Sequence, residues 1–344
     1  MADYVQIPYG QIALKAVLPA LLYFTGIFIS VHLEAKKLGL RGLPREELPK
    51  LLPLLKKSYL LLPLALLIYL VGTSQKSIQY AAALSIVACV FVTLFSRETR
   101  ITPMRILEAL AAGGQGSITV AAACGIAGII AGTITMTGLA NVIINGIVVL
   151  AGNSVLIALF LTMICCIVLG MGVPTTATYC IMAATCAPIL VRMGVPLVAA
   201  HFFVFYFGIV ADLTPPVALA AYAGAAIAQA NPMKTALEST KLAIGAFIVP
   251  YAFALSPSML LIDTTAAEVI LIVITSLVGI ASVSAAMEGY LIGRLSWPRR
   301  ALALVGGLMM IYPGTVTDVI GLALSGLVVV LCLADKKKAA PAAA

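Results

Sequence analysis

Charged residues are scarce in this sequence. Only 10% of its 344 residues are charged, 62% are hydrophobic, and the mean hydropathy is +1.13. A soluble globular domain carries about 25% charged residues, so the composition excludes that class. The alternating pattern of about ten residues that marks an outer-membrane strand is also missing, because the apolar runs are long and continuous. The sequence therefore predicts an all-α polytopic membrane protein of a bacterial inner membrane.

Common catalytic and metal-binding patterns are missing as well. The sequence contains no HExxH, no GxSxG and no paired intramembrane carboxylates, which disfavours an enzyme. No cofactor is predicted. His201 is expected to be a packed, hydrogen-bonded side chain, and His32 an interfacial one. Seven cysteines lie inside apolar runs without metal-ligand spacing, and we expect them to be small hydrophobic packing residues: Cys89, Cys124, Cys165, Cys166, Cys180, Cys186 and Cys332.

Basic residues outnumber acidic ones, and the formal net charge is +8. Their distribution argues against a nucleic-acid partner, because they crowd short segments between apolar runs. These segments are residues 36–57, 97–105, 294–300 and 336–338. Cytoplasmic loops collect Lys and Arg, so all four segments are predicted to lie on the cytoplasmic side of the bilayer.

Apolar runs set out the predicted membrane segments. In chain order they cover residues 11–31, 59–73, 78–95, 111–152, 154–170, 177–191, 196–211, 217–230, 239–256, 266–292, 301–311 and 316–333. Polar residues interrupt the run 111–152, which is therefore expected to be a bent or broken span. Residues 46–57 form an amphipathic stretch that is expected at the membrane interface.

Two proline-broken, hydroxyl-bearing interruptions lie within these segments. The first, GMGVPTTATY, runs from Gly170 to Tyr179, and the second, DLTPPV, runs from Asp212 to Val217. The segments beside the first are short for a full crossing, which predicts a re-entrant helical hairpin. Those beside the second predict two half-helices of one broken span. Secondary transporters bind cations and substrate at discontinuous helices, because irregular backbone survives at membrane depth only where it is buried or lines a cavity.

Proline determines the chemistry expected at both interruptions. Because Pro174, Pro215 and Pro216 lack an N–H, carbonyl groups near Gly170 and Asp212 are expected to be free to bind a hard cation. Threonine hydroxyls stand beside them. Oxygen ligands without thiolate or imidazole suit a Group 1 cation, and sodium is the natural candidate for the coupling ion. The half-helix after each interruption presents its N-terminal N–H groups, which favour an anionic substrate group at the same depth.

The candidate binding residues are Gly170, Gly172, Pro174, Thr175, Thr176, Thr178, Asp212, Thr214, Pro215 and Pro216. Thr175, Thr176 and Thr214 are the candidate sodium ligands. Two interpretations of Asp212 stay open: a cation ligand or proton carrier, since a charge at mid-bilayer costs about 2.5–3.5 kcal/mol, or a residue without a role in binding. Proline kinks also occur for packing alone, but two hydroxyl-bearing breaks in one chain favour a binding site.

The stretch from Leu161 to Pro250 contains GMGVPTTATY, APILVRMGVPLVAAHFFVFYFGIVADLTPPVALAAYAGAAIA and NPMKTALESTKLAIGAFIVP. It resembles the large membrane subunit of tripartite ATP-independent periplasmic (TRAP) transporters of the TAXI-associated, fused type. The resemblance implies an elevator-type transporter of two inverted repeats, each with a re-entrant hairpin and a broken helix. It also implies sodium coupling, a periplasmic solute-binding protein and a small membrane subunit. Residues 170–178 resemble the tip of the second hairpin, residues 214–216 the break of its partner helix, and both would line one sodium site.

The sequence also departs from that family. Pro215-Pro216 is its only Pro-Pro pair, so neither the earlier repeat with its own break nor fused small-subunit helices are recognised. We therefore expect the chain to be the C-terminal part of the family's subunit. By the resemblance, residues 1–110 hold N-terminal spans and basic loops, residues 111–260 the second repeat, and residues 261–344 a C-terminal extension with three membrane segments and no assigned chemistry.

Three functional classes stay open at this point. The first is the permease component of a sodium-coupled, binding-protein-dependent transporter that takes up an organic anion. The second is an intramembrane enzyme, which the missing motifs disfavour. The third is a truncated, non-transporting membrane protein or scaffold that lacks the first repeat, which a separate chain would then have to supply.

Overall fold

The structure, a computed structural model, describes residues 1–44, 47–48, 51–73, 77–94 and 101–339. Short 3₁₀ turns cover Ser58–Leu61, Ala211–Leu213 and Pro257–Leu260. The described residues contain no β-strand, only an isolated bridge between Tyr290 and Arg294. The helices are α1 Ala2–Val5, α2 Tyr9–Lys37, α3 Leu51–Lys56, α4 Leu62–Gly72, α5 Ile78–Thr93, α6 Pro103–Met136, α7 Leu139–Ala151, α8 Val155–Gly170, α9 Thr175–Thr185, α10 Ala187–Arg192, α11 Leu197–Val210, α12 Leu219–Ala228, α13 Pro232–Leu242, α14 Ile244–Leu255, α15 Ala266–Glu288, α16 Trp297–Met309 and α17 Thr315–Ala339. The predicted all-α class is confirmed.

The chain divides into two compact units, of which the first comprises Met1–Leu14 and Arg41–Ala122. In this unit α4 and α5 pack against each other as the predicted close pair. The α5 helix begins at Ile78 because the Ser77 hydroxyl accepts the N–H of Tyr80 at 3.2 Å, an N-cap. Residues 74–76 and 95–100 lie outside the described residues. Of the amphipathic stretch 46–57, residues 51–56 are helical, and its place at the interface stays a prediction.

Three helices among the described residues are long and apolar enough to cross a membrane: Tyr9–Lys37, Ala266–Glu288 and Thr315–Asp335. Cys124–Ile134 and Leu139–Ala151 form a further candidate as a pair bent by 71°. The bend lies at Gly138, whose φ of 72° falls in the left-handed region that glycine adopts without steric cost. The predicted break in the run 111–152 is thus present, and the helices agree with a multi-pass membrane protein.

The second unit, Lys15–Leu40 with Ala123–Ala344, is built around α11. This helix is apolar on every side and contacts α8, α9, α10 and α14, as expected for a helix whose central residues are buried, and only Leu197 and Ile209 near its ends are exposed. Phe203 and Phe207 have no exposed surface and lie with ring centroids 4.8 Å apart. Tyr251 of α14 meets the edge of the Phe203 ring at 5.5 Å. Aromatic packing therefore fixes α14 against the helix that leads into the second interruption.

Glycines make the closest helix contacts of the second unit. A Cβ on Gly279 of α15 would lie 2.8 Å from the carbonyl oxygen of Gly307 in α16. One on Gly321 of α17 would lie 2.6 Å from the carbonyl oxygen of Gly306. Small residues let membrane helices approach closely and gain van der Waals contact without a hydrophobic driving force. The C-terminal helices α15, α16 and α17 consequently pack backbone to backbone.

The C-terminal ends of α2, α15 and α17 meet at one end of the second unit. Leu33, Ala286 and Cys332, one from each helix, belong to a single buried cluster. The basic segments 36–57, 294–300 and 336–338 therefore start from the same end. This arrangement agrees with a common placement on one side of the bilayer, and the cytoplasmic side stays a prediction.

Two predicted boundaries in the second unit are wrong. Residues 239–256 were expected as one segment, but α13 ends at Leu242 and α14 starts at Ile244. The α13 helix begins much earlier than residue 239, because the Asn231 side chain accepts the N–H of Lys234 at 3.0 Å and Pro232 fits the first turn. The half-helix expected from residue 217 starts at Leu219, after Ala218 in a left-handed conformation.

Candidate functional site

The first interruption is the tip of a helical hairpin. The α8 helix ends at Gly170, residues 171–174 form the tip, and α9 starts at Thr175. Both α9 and α10 pack back against α8. Gly172 adopts a φ of 72°, which reverses the chain without Cβ strain. Pro174 ends the tip because it cannot donate to a preceding carbonyl but fits directly before a helix. The hairpin predicted from the short flanking segments is therefore present.

The second interruption separates two helices, α11 and α12. The α11 helix ends at Val210, and Ala211–Leu213 add one 3₁₀ turn. Thr214 is extended, the Pro215–Pro216 bond is cis, and α12 starts three residues later at Leu219. Thr214 and Pro215 are half-buried, whereas Pro216 is exposed. The Thr-Pro-Pro sequence thus gives the predicted break, with α11 and α12 on its two sides.

The hairpin tip and the broken helix contact each other through glycines. A Cβ on Gly170 would lie 2.9 Å from the Cβ of Ala211, and one on Gly208 would lie 3.3 Å from Cγ2 of Thr178. A Cβ on Gly172 would lie 3.9 Å from the side chain of Val217. Two interruptions that are distant in sequence therefore form one site, which we call the tip–break junction, residues 170–178 with 208–217.

Threonine hydroxyls donate hydrogen bonds to carbonyl groups that the prolines were expected to leave free. Thr214 Oγ1 donates to the carbonyl of Val210 at 2.7 Å, and Thr178 Oγ1 donates to the carbonyl of Val173 at 3.0 Å. The carbonyl of Gly170 accepts a long 3.4 Å bond from the N–H of Val173, so it is not wholly free as predicted. Each of these carbonyl and hydroxyl oxygens keeps a further lone pair. They therefore remain able to ligate a cation.

Other candidate ligands differ in their exposure at the junction. Thr178 is buried, Thr175 is half-buried at the start of α9, and Thr176 is exposed. Asp212 is half-buried in the 3₁₀ turn, and the structure gives its carboxylate no hydrogen bond or ion pair among the described residues. That carboxylate is the one anionic candidate at the junction. The described residues hold no group of three or more His, Cys, Asp or Glu that could bind a metal ion.

Both helices that follow the interruptions start without a side-chain cap. Pro174 precedes α9 and Ala218 precedes α12, and neither offers a side-chain acceptor. By contrast, α8 starts at Ser154 and α15 at Thr265 with capping hydroxyls. Uncapped N–H groups and the positive end of the helix dipole attract anions. Oxygen atoms of the type that ligates cations and helix N-termini of the type that attracts anions therefore lie in or directly beside the junction.

Two further residues hold the break and were not found by sequence reasoning. The Tyr222 hydroxyl donates to the carbonyl of Pro216 at 2.6 Å, and Thr240 Oγ1 donates to the carbonyl of Leu213 at 3.1 Å. Thr240 lies on α13, far along the chain from the break. Its role had no local signal, because an isolated Thr on a helix is ordinary. Tyr222 has the one polar side chain in α12, which was the only available cue.

His201 plays the structural role that was expected for it. Its ring is buried on α11, and Nδ1 lies 2.8 Å from the hydroxyl of Tyr179 on α9. The ring of Tyr179 in turn meets the edge of Phe205 at 5.8 Å. These contacts fix the second arm of the hairpin to α11 just beyond the tip.

The family model for the tripartite ATP-independent periplasmic transporter, DctM component, matches residues 1–268. The chain belongs to this family. Comparison with curated proteins and with solved structures gave no match. The match contains both interruptions and ends in the first turn of α15, shortly after residue 261, where the C-terminal extension was predicted to start.

DctM membership confirms the predicted transporter family. As a DctM component, the chain is the permease of a transporter, and it is a multi-pass membrane protein. The family implies partnership with a periplasmic binding protein and a small membrane subunit. The tip–break junction lies wholly inside the matched residues, which makes it the candidate site of the DctM chain.

Proposed function

We propose that this DctM component is the inner-membrane permease of a sodium-coupled, binding-protein-dependent transporter of the TAXI-associated type, and that its substrate is an organic anion. The observation that carries the proposal is the contact between the hairpin tip and the broken helix at Gly170 and Ala211. The junction formed by this contact contains Thr175, Thr176, Thr178 and Thr214; the uncapped helix α9 starts within it, and the uncapped helix α12 starts two residues after it.

Sodium is the proposed coupling ion because residues 170–178 and 208–217 offer hydroxyl, carbonyl and carboxylate oxygens but contain no Cys or His. Hard cations take carbonyl, hydroxyl and carboxylate oxygens. Thr175, Thr176 and Thr214 supply the hydroxyls, the carbonyls of residues 170–173 and 210–213 supply further oxygens, and Asp212 supplies a carboxylate. A single cation at these oxygens would also lower the cost of holding an anionic substrate beside Asp212.

The substrate is proposed to be a carboxylate-type anion held by the N-termini of α9 and α12. The periplasmic binding protein would deliver it, and the hairpin with its broken helix would carry it across in an elevator movement. The membrane potential contributes about 2.3 kcal/mol per net charge per 100 mV, roughly a fortyfold accumulation. Sodium entry can therefore drive uptake without ATP.

The first test of the ion site measures sodium binding in the absence of the transported anion. The purified chain with its membrane partner is melted in detergent in sodium chloride and in potassium chloride at equal ionic strength. An ion present at a concentration of about 100 times its Kd stabilises the folded state by about 2.7 kcal/mol, so sodium should raise the Tm. In Thr176→Val, which deletes one exposed oxygen at nearly constant volume, the sodium-specific rise should shrink.

Uptake into proteoliposomes that contain the complete complex tests coupling. Thr176→Val and Thr214→Val should each raise the sodium concentration needed for half-maximal uptake. Thr25→Val is the matched control, because Thr25 Oγ1 donates to the carbonyl four residues back at 2.7 Å, as Thr214 does, but lies on α2. If both junction variants kept the sodium dependence of the control, the proposed ligands would be wrong.

A further inference from the structure

An apolar cavity of about 880 Å³ lies in the second unit, away from the tip–break junction. Its walls come from the first half of α8, the length of α14 and the second half of α16, and it ends at the turn before α17. Leu156 and Phe160 on one wall and Leu308 on the other are each about half exposed, so the cavity is open on one side. Its volume suits a ligand of several hundred Å³.

The cavity lining is uncharged and almost without free polar groups. The Tyr251 hydroxyl is turned onto Met163 Sδ at 3.3 Å, and Thr317 Oγ1 donates to the carbonyl of Tyr312 at 3.0 Å. Tyr312 itself is half exposed at the α16–α17 turn. A ligand must therefore be apolar along its length, and its only polar end lies beside Tyr312. Tyrosines at this kind of position are enriched where membrane helices meet the lipid headgroups.

The shape of the lining argues against a partner helix as the occupant. Where α15, α16 and α17 pack tightly, glycines face each other, as Gly279 does with Gly307 and Gly306 with Gly321. No glycine or alanine lines the cavity; its wall consists of large side chains such as Phe160 and Phe247. A partner helix could not approach such a wall as closely as α16 approaches α15 and α17, and it would lack the close backbone contact that favours helix pairs in lipid. A thin, flexible chain fits between large side chains.

The length of the cavity matches such a chain. Its lining runs along α14 from Ile244 to Leu255, which at 1.5 Å per residue is about 16 Å. We propose that this cavity binds the acyl chain of a membrane phospholipid, with the headgroup beside Tyr312. The bound chain lies between α8, the first arm of the hairpin, and α16 of the C-terminal region. This site depends neither on sodium nor on the transported anion.

The test uses a phosphatidylcholine with a photoreactive diazirine at the end of one acyl chain. The full chain with its membrane partner is reconstituted in vesicles of phosphatidylethanolamine and phosphatidylglycerol that contain this probe, irradiated and digested. Mass spectrometry should place most of the adducts on the peptides of α8 and α14. Met163→Trp and Leu308→Trp, which fill the cavity from opposite walls, should each lower these adducts by at least about fivefold.

Phe28→Trp is the matched control, because Phe28 is 72% exposed on α2 and lines no part of the cavity. It should leave the α8 and α14 adducts unchanged. The Tm of each variant is first compared with that of the parent chain. Because Met163→Trp and Leu308→Trp fill the cavity from opposite walls, one of them still tests the proposal if the other misfolds. Adducts that persist in a folded, filled variant would overturn the proposal. So would α8 adducts formed by a diazirine fatty acid but not by the phospholipid, or crosslinks there to the small membrane subunit.

Discussion

Lys241 offers the sharpest test of how the second unit is held together. Its Nζ lies 2.7 Å from Glu288 Oε2, 3.1 Å from Glu238 Oε2 and 3.9 Å from Glu34 Oε2, so one ammonium joins α13 to α2 and α15. The Glu288 side chain has no exposed surface, whereas that of Lys241 is 22% exposed. Removing the lysine would leave a buried carboxylate without its cation.

The expected cost follows from that burial. Breaking a buried ion pair by removing one partner costs about 3–5 kcal/mol, and the partial exposure of Lys241 places Lys241→Met near the lower end, about 3 kcal/mol. The double variant Lys241→Met with Glu288→Gln removes both charges and should recover most of the loss. Lys234→Met, on an exposed position of the same helix, should change the free energy of unfolding by no more than about 0.5 kcal/mol.

The pH dependence of the pair has a definite sign. Burial lowers the pKa of Lys241, but the contacts with Glu288 and Glu238 outweigh burial, so this pKa lies above the usual value of a lysine. A raised pKa of a cation gives stability that is complete below the unfolded-state value, about 10.4, and that is lost as pH rises through the folded-state value. The stability that the titration of Lys241 itself contributes should therefore be complete throughout the neutral range.

Denaturant unfolding in detergent micelles, followed by circular dichroism, measures these free energies. The reasoning is refuted if Lys241→Met costs no more than Lys234→Met. It is equally refuted if the double variant is as unstable as Lys241→Met alone, because the loss would then not come from a stranded charge.

Two further predictions concern the junction and the topology. Gly170→Leu should abolish uptake while the chain still inserts in the membrane, because even a Cβ at this position would lie 2.9 Å from the Cβ of Ala211. Gly146→Leu is the control, because a Cβ there would meet no atom within 4 Å. Equal uptake by both variants would contradict the close contact. Leu40 follows the end of α2 that packs beside the C-terminal end of α17, whereas Pro313 precedes the N-terminal end of α17. In a cysteine-free background, Leu40→Cys should therefore be shielded from an impermeant thiol reagent outside the cell, and Pro313→Cys should be labelled. The reverse pattern would contradict the cytoplasmic placement of the basic segments.

Local properties of the chain were readable from the sequence. Long apolar runs mark α2, α15 and α17 as membrane-crossing helices, because about 20 apolar residues are needed to span the hydrocarbon core. Proline and glycine act on the residues beside them, so the breaks at Pro174 and at Pro215–Pro216 were also predictable. The packed role of His201 followed from its apolar neighbours.

Only the tertiary structure decided which of these local features meet. The contact of Gly170 with Ala211 joins two interruptions into one junction, and the hydroxyl of Thr240 reaches the break from another helix. Likewise, the partner of Lys241 is Glu288, far along the chain. Such pairings depend on how helices pack in three dimensions, and a free carbonyl at a proline break stays free only if no distant or neighbouring hydroxyl folds onto it. The sequence thus determined where the helices break, and the packing determined what lies opposite each break.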